Sequence, residues 1–368
     1  MPKKKSLSNK MKKIIIFLAL VSIFIIGCAN KCGDGICQSF EERKGNCPED
    51  CYALESKESE ILNTTEPGVD DILIIDHKKE FAIGSGDYDF SLEHDGLTRT
   101  YKVHVPPSYD ADSPFPLVIY LHGGGGNADA AYSDGIDKAS DKNGFILAAP
   151  EGTGEIILGK LRASWNGGEW QTGKCCGDAD DVGFISKMIE EIKISFNLDE
   201  SKVYAMGISN GGLMTNRLAC ELSDKITAIA TVAPAAIPSD CNPVEPVHVI
   251  DIHGTGDKCN PFYGREPSFS FCSNVDYTRM TPEQVINKWR KINGCSDESV
   301  NGYENENAKC IIYNKCDGGA EVEFCKVEGM GHTWPSGSQY LPERNIGPVS
   351  YDISTDQIWE FFEKHSVQ

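Results

Sequence analysis

From residue 84 onward the chain alternates short β-branched apolar runs with longer stretches in which apolar residues recur every three or four positions. The runs Tyr101–Val105, Leu117–Leu121, Phe145–Ala149, Val203–Met206, Ile229–Val232, Val247–Ile252 and Glu321–Val327 read as strands. The stretches near 129–143, 181–196, 210–223, 281–293 and 354–364 read as amphipathic helices. Alternation of this kind predicts an α/β domain over 84–368, with a mostly parallel central sheet flanked by helices. No internal repeat or low-complexity tract interrupts it.

The pattern upstream is different. Residues 1–13 hold six lysines and no acid, and Ile14–Ile26 is apolar apart from Ser22. As a helix this run rises about 20 Å, short of a hydrocarbon core of roughly 30 Å. A basic start and a short apolar stretch make a secretory signal. It ends in Ile25-Ile26-Gly27-Cys28, which resembles a bacterial-type lipobox. That resemblance implies a lipoprotein-type signal over 1–27 and lipidation of Cys28. An ordinary signal peptide and an uncleaved anchor are the alternatives, and each puts the body of the protein outside the cytoplasm.

This address accounts for the 15 cysteines. Setting Cys28 aside leaves an even number in an oxidising compartment, so mostly disulfides are expected. Residues 28–51 form a small disulfide-rich module containing Cys32, Cys37, Cys47 and Cys51. The module is too short to build a core, and its connectivity stays open. Asp34, Glu41, Glu42 and Asp50 offer oxygens to a calcium ion. A metal-free disulfide knot is the competing reading. Residues 52–83, rich in Glu, Asp, Ser and Thr, read as an acidic linker. The net charge of −20 argues against nucleic acid and anionic membrane surfaces as partners. It leaves a lipid anchor as the link to a membrane.

Three features with chemical content fall at the carboxyl ends of predicted strands, where open α/β sheets place their sites. Gly207-Ile-Ser209-Asn210-Gly211 lies between a strand and a helix and fits the nucleophile elbow of the α/β-hydrolase fold. Leu121-His-Gly-Gly-Gly-Gly126 fits a glycine-rich oxyanion loop. Gly124 and Gly125 would then supply backbone N–H groups together with Asn210. The last feature is an acid–base pair. A serine hydroxyl needs a base, and the base needs a carboxylate to orient it. His332, in Met330-Gly-His-Thr-Trp-Pro335, combines a flanking glycine with a late loop after a strand. Of the other histidines, His104 and His248 read as packing residues within strands, and His122 and His253 as supports of loop geometry. His77, His94 and His365 lie outside the motifs. For the acid, Asp257 in His253-Gly-Thr-Gly-Asp257 completes the chain order Ser, Asp, His. Asp180 and Asp181 are rivals, though they precede the serine and Asp181 reads as a helix N-cap.

Taken together, these residues resemble the secreted esterases grouped as polyhydroxybutyrate depolymerases and feruloyl esterases. The resemblance runs from about residue 84 to 364. It adds Gly96-Leu-Thr-Arg-Thr-Tyr-Lys-Val-His-Val-Pro-Pro107, Ser164-Trp-Asn166, Cys175-Cys-Gly177 and Asp180-Asp-Val-Gly-Phe184 to the motifs above. It implies an α/β-hydrolase fold, a triad of Ser209, Asp257 and His332, no cofactor, and feruloyl-type esters or a hydroxyalkanoate polyester as substrate. After Asp257 the chain reads Lys-Cys-Asn-Pro-Phe262 where the family has two residues and then Val-Pro-Tyr. This departure bears on the rim of the site. Within the same picture Cys259 pairs with Cys272, Cys220 with Cys241, Cys295 with Cys316, and Cys310 with Cys325 across adjacent strands. Trp165 and Trp334 are the expected aromatic walls of the substrate pocket, with Trp170 a further candidate. A surface-binding lipoprotein on an inactive esterase fold is an alternative reading, and a serine peptidase of the same fold a weaker one.

Overall fold

The computed structural model describes residues 83–157, 160–168, 179–267, 272 and 279–365. The signal segment, Cys28, the module with Asp34, Glu41 and Asp50, Trp170 and Cys175-Cys-Gly177 lie outside them, as does the linker up to residue 82.

In chain order the strands are β1 (Gly86–His94), β2 (Leu97–Val105), β3 (Phe115–Leu121), β4 (Ile146–Pro150), β5 (Thr153–Ile157), β6 (Lys160–Ser164), β7 (Leu198–Ile208), β8 (Ala228–Val232), β9 (His248–Gly254), β10 (Val300–Glu304), β11 (Ala308–Tyr313) and β12 (Val322–Val327). The helices are α1 (Ala130–Ser133), α2 (Ile136–Asn143), α3 (Asp181–Ser195), α4 (Asn210–Glu221), α5 (Pro282–Ile292), α6 (Glu343–Ile346) and α7 (Thr355–Glu363). Ten strands make one sheet in the order β1-β2-β4-β3-β7-β8-β9-β12-β11-β10, and β5 and β6 pair separately. The central pairings from β4 to β12 are parallel. The outer pairings on both sides are antiparallel. This is the mostly parallel, helix-covered sheet of the α/β-hydrolase fold.

The pleat divides the core in two. Leu117, Ile119 and Leu121 of β3 face a layer that also holds Phe184, Ile185 and Met188 of α3, Met214 and Leu218 of α4, and Trp289 of α5. Val118 and Tyr120 face the opposite layer, with Ile136 of α2 and Ile358, Trp359 and Phe362 of α7. Strands buried on both faces must be apolar at successive positions, which is why the central ones stand out in the sequence. The helix expected over 129–143 is instead two, because Gly135 adopts a left-handed φ of 75° between them. Of the strands that the apolar pattern misses, β1 and β10 lie at the sheet edges with one face open to water, β11 lies between β10 and β12, and β5–β6 is a hairpin outside the sheet.

The four cysteine pairs expected in this domain are disulfides: Cys220–Cys241, Cys259–Cys272, Cys295–Cys316 and Cys310–Cys325. Cys310 and Cys325 sit directly opposite one another in the β11–β12 register. Such crosslinks belong to a chain matured under oxidising conditions.

Candidate active site

The turn after β7 is tight. Ser209 has φ 57° and ψ −119°, a strained conformation for a residue with a side chain. Its N–H is held by the Val232 carbonyl at 2.9 Å. Both flanking glycines are required by space. A Cβ on Gly207 would stand 2.6 Å from the Gly211 backbone, and one on Gly211 would stand 2.1 Å from the Leu121 carbonyl oxygen. The turn lifts a half-buried Ser209 above the sheet edge at the start of α4. The N–H groups of that first helical turn favour negative charge there.

The glycine-rich loop lies against this elbow. A Cβ on Gly123 would meet the Ser209 Cβ at 3.7 Å, and one on Gly124 would meet the Asn210 Cβ at 3.4 Å. His122 is buried and organises the loop. Its Nδ1 donates to the Gly123 carbonyl (2.9 Å) and its Nε2 accepts from Gly152 N–H (3.2 Å). Burial pushes this imidazole down to about 4, so it is neutral at pH 7. One expectation is corrected: Gly125 does not offer its N–H to the site, because it donates to the Ala163 carbonyl at 2.7 Å. The loop pairs with β6 there through the Gly126–Ala163 bridge. The Asn210 side chain is also engaged. Its Oδ1 accepts Trp165 N–H (2.7 Å), and its Nδ2 donates to the Trp165 carbonyl (3.0 Å). The Asn210 side chain thus ties the Ser209 turn to the Trp165 segment that follows β6, a role with no signal in the sequence.

Asp257 and His332 meet as a buried pair, Nδ1 to Oδ2 at 2.7 Å. Asp257 stands on the turn after β9, where its Oδ1 accepts the N–H groups of Cys259 (2.7 Å) and Asn260 (2.8 Å). His332 follows β12. Its N–H is held by the Ile346 carbonyl, and its own carbonyl by the Tyr340 hydroxyl at 3.0 Å. The two loops touch because Gly254 has no side chain; a Cβ there would lie 2.0 Å from the Met330 carbonyl oxygen. With Nδ1–H given to the carboxylate, Nε2 is the nitrogen left to act as base. Ser209, Asp257 and His332 therefore stand at the carboxyl ends of β7, β9 and β12, all on one edge of the sheet.

The rival acids are occupied elsewhere. Asp180, not Asp181, caps α3, accepting Gly183 N–H at 2.9 Å. Asp181 is one residue inside the helix and buried, where it pairs with Arg99 at 2.7 Å and accepts Asn166 N–H. The N-cap expectation was thus off by one position, since either aspartate satisfies the motif. Among the rival bases, His104 is not a packing residue: it bridges Asp87 and Asp141, 2.9 Å from each. His248 stacks on His365 at 3.8 Å.

The two tryptophans expected as pocket walls are core residues. Trp165 is fully buried, with Nε1 on the His122 carbonyl at 3.0 Å. Trp334 is 1% exposed, packs edge-on to Tyr120, and donates to Thr355 Oγ1. Tyr340 takes the exposed position instead. Half its surface is open, and its hydroxyl is fixed beside His332.

No family model matches the chain. Among curated relatives, Feruloyl esterase B of Piromyces equi is 31% identical over 243 residues, covering 64% of this chain and 42% of that protein. A bifunctional acetylxylan esterase/xylanase of Neocallimastix patriciarum is 24% identical over 74% of this chain and 34% of its own length. The chain thus spans less than half of either. NocK of Nocardia uniformis subsp. tsuyamanensis, named as an esterase, is 28% identical over 71% of this chain and 77% of its own. Among solved structures, an acetyl xylan esterase from Aspergillus awamori aligns over 75% of this chain and 99% of its own, at TM-score 0.52 and 14% identity. At that identity the likeness speaks for the fold alone. The fold it shares is that of the α/β-hydrolases.

Proposed function

We propose that the chain is an extracytoplasmic serine carboxylesterase acting on acyl esters of polysaccharide, feruloyl-type esters foremost. The observation that carries this reading is the buried 2.7 Å Asp257–His332 pair on the same sheet edge as the strained Ser209 turn. Ser209 Oγ attacks the ester carbonyl while His332 Nε2 takes its proton. The tetrahedral oxyanion is held by backbone N–H groups of Asn210 and Gly124, a donor of this kind being worth about 3 kcal/mol. His332 returns the proton to the leaving alkoxide and an acyl-Ser209 remains. Water, deprotonated by His332, attacks this ester, and Ser209 leaves with the proton. Asp257 holds His332 in the right tautomer and stabilises the imidazolium. None of these steps draws on a cofactor.

The substrate class is supported by the names of the relatives, which include feruloyl and acetylxylan esterases. Tyr340 supplies an aromatic face beside His332 that suits a hydroxycinnamoyl group. The disulfides support maturation outside the cytoplasm, and the lipobox-like segment supports a tether through Cys28. Loss of acyl labelling in Cys28→Ser would bear out that tether, and retained labelling would refute it.

The test is hydrolysis of methyl ferulate, acetylated xylan and a hydroxybutyrate oligomer by wild type and Ser209→Ala. Turnover of one of the first two, reduced at least a thousandfold in the variant, is the expected result. Turnover of the oligomer alone would move the substrate to polyester. Binding without turnover, or unchanged hydrolysis by Ser209→Ala, would defeat the esterase reading.

A further inference from the structure

Behind Asp257 lies a second imidazole that the reaction does not use. His253, near the end of β9, is 1% exposed. Its Nε2 is 2.8 Å from the Asn260 carbonyl oxygen and 3.5 Å from Asp257 Oδ2. Both neighbours are acceptors, so Nε2 carries the proton. Nδ1 is then a lone pair, buried and without a partner among the described residues. Two positions earlier on the same strand face, Asp251 is fully buried. Its Oδ1 accepts from Thr231 Oγ1 at 2.9 Å, while Oδ2 has no partner among the described residues.

The connection to Asp257 runs through one short turn. Asn260 gives its N–H to Asp257 Oδ1, its carbonyl to His253, and its Nδ2–H to the Ala233 carbonyl. The Asn260 carbonyl and N–H flank one Cα, so holding the carbonyl steadies the Asn260 N–H, which together with Cys259 N–H (2.7 Å) sets the rotation of the Asp257 carboxylate about its Cβ–Cγ bond. That rotation sets whether Oδ2 points at His332. Nothing in the Ser, Asp, His scheme requires a histidine here. A carbonyl that needed only a donor is served in most proteins by backbone or water.

We infer that His253 is a positioning residue for the triad carboxylate, its Nε2–H clamping the Asp257–Asn260 turn so that Oδ2 faces His332. The inference rests on the esterase reading of Ser209, His332 and Asp257.

The test contrasts His253→Gln, His253→Asn and His253→Leu in the full chain. Glutamine reaches as far as Nε2 and keeps an N–H there, whereas asparagine stops short and leucine offers none. Rates are normalised to the fraction of sites titrated by a serine-directed phosphonate, so partial misfolding does not enter. On methyl ferulate, the Asn and Leu variants are expected to lose about tenfold to a hundredfold in kcat with KM within twofold, and Gln to retain most activity. On an Asp257→Asn background, His253→Asn should cost less than threefold, because the carboxylate it positions is gone. If Leu fails to fold, the Gln and Asn pair decides. Equal kcat per titrated site in wild type and His253→Asn would overturn the inference, as would a full multiplicative loss on the Asp257→Asn background. A wild type that neither reacts with the phosphonate nor hydrolyses ester would instead refute the esterase reading itself.

Discussion

Asn210→Ala probes how the Ser209 turn is held to the Trp165 segment that follows β6. The Asn210 side chain makes a reciprocal pair of bonds with the backbone of Trp165, accepting its N–H at 2.7 Å and donating to its carbonyl at 3.0 Å. Trp165 is fully buried, so truncation leaves both groups unpaired away from water. A buried polar group stripped of its partner costs about 1–3 kcal/mol, which makes about 4 kcal/mol for the two together. At 2–4 °C per kcal/mol for a domain of this size, the midpoint of thermal unfolding should fall by roughly 8–16 °C. Asn210→Asp should do no better, because it sets a carboxylate oxygen against the Trp165 carbonyl. Calorimetry at fixed ionic strength measures the shift. A fall of less than about 2 °C in both variants would show that the clamp holds nothing, and the reasoning would be refuted.

Three further outcomes follow from the same geometry. Trp334→Ala should cost about 3–5 kcal/mol of stability through a core cavity, with no selective rise in KM; a KM effect on a fully stable protein would restore Trp334 to the pocket. Removing the Cys310–Cys325 bridge, which spans 15 residues, should cost about 3 kcal/mol in denaturant titration. No loss would mean that the strand pairing alone holds that edge. Two buried imidazoles should withdraw stability as pH drops from about 6.5 to 4. His122 and His248 are held down to about 4 by burial, so in this window each binds more proton in the unfolded chain than in the folded one, while Asp251 and Glu323, pushed up to about 7, act in the opposite sense. Replacing His248 by Asn, whose Oδ1 takes over the Glu321 N–H that Nδ1 now accepts, should flatten that slope. An unchanged slope would place the pH sensitivity elsewhere.

The parallel core was legible because its strands are buried on both faces and so are apolar without interruption, as in Leu117–Leu121 and Ile146–Ala149. Edge strand β1 was not. Its side chains alternate between exposed and half-buried, and Asp, Ser and Glu sit among its apolar residues. The partnership of Asp257 with His332 was legible because each follows a strand within a glycine-bearing motif and their order suits the fold. Close contact of the two loops through Gly254 is the physical reason that motif exists. Side-chain direction was not legible. Trp334 lies two residues from His332, yet turns into the core toward Tyr120, whereas Tyr340, eight residues on, faces outward. Proximity along a chain does not fix which face of a loop a side chain takes. For the same reason the engagement of Gly125 with Ala163 was invisible: it depends on hairpin β5–β6, which no apolar pattern announces.

The central claim is that Ser209 is the nucleophile served by His332. The most direct measurement is peptide mass spectrometry of the protein after reaction with a fluorophosphonate. One adduct per chain on the peptide carrying Ser209, formed in proportion to lost ester hydrolysis and abolished in His332→Ala, is the predicted result. An adduct on a different residue, or full hydrolysis by Ser209→Ala, would contradict the account.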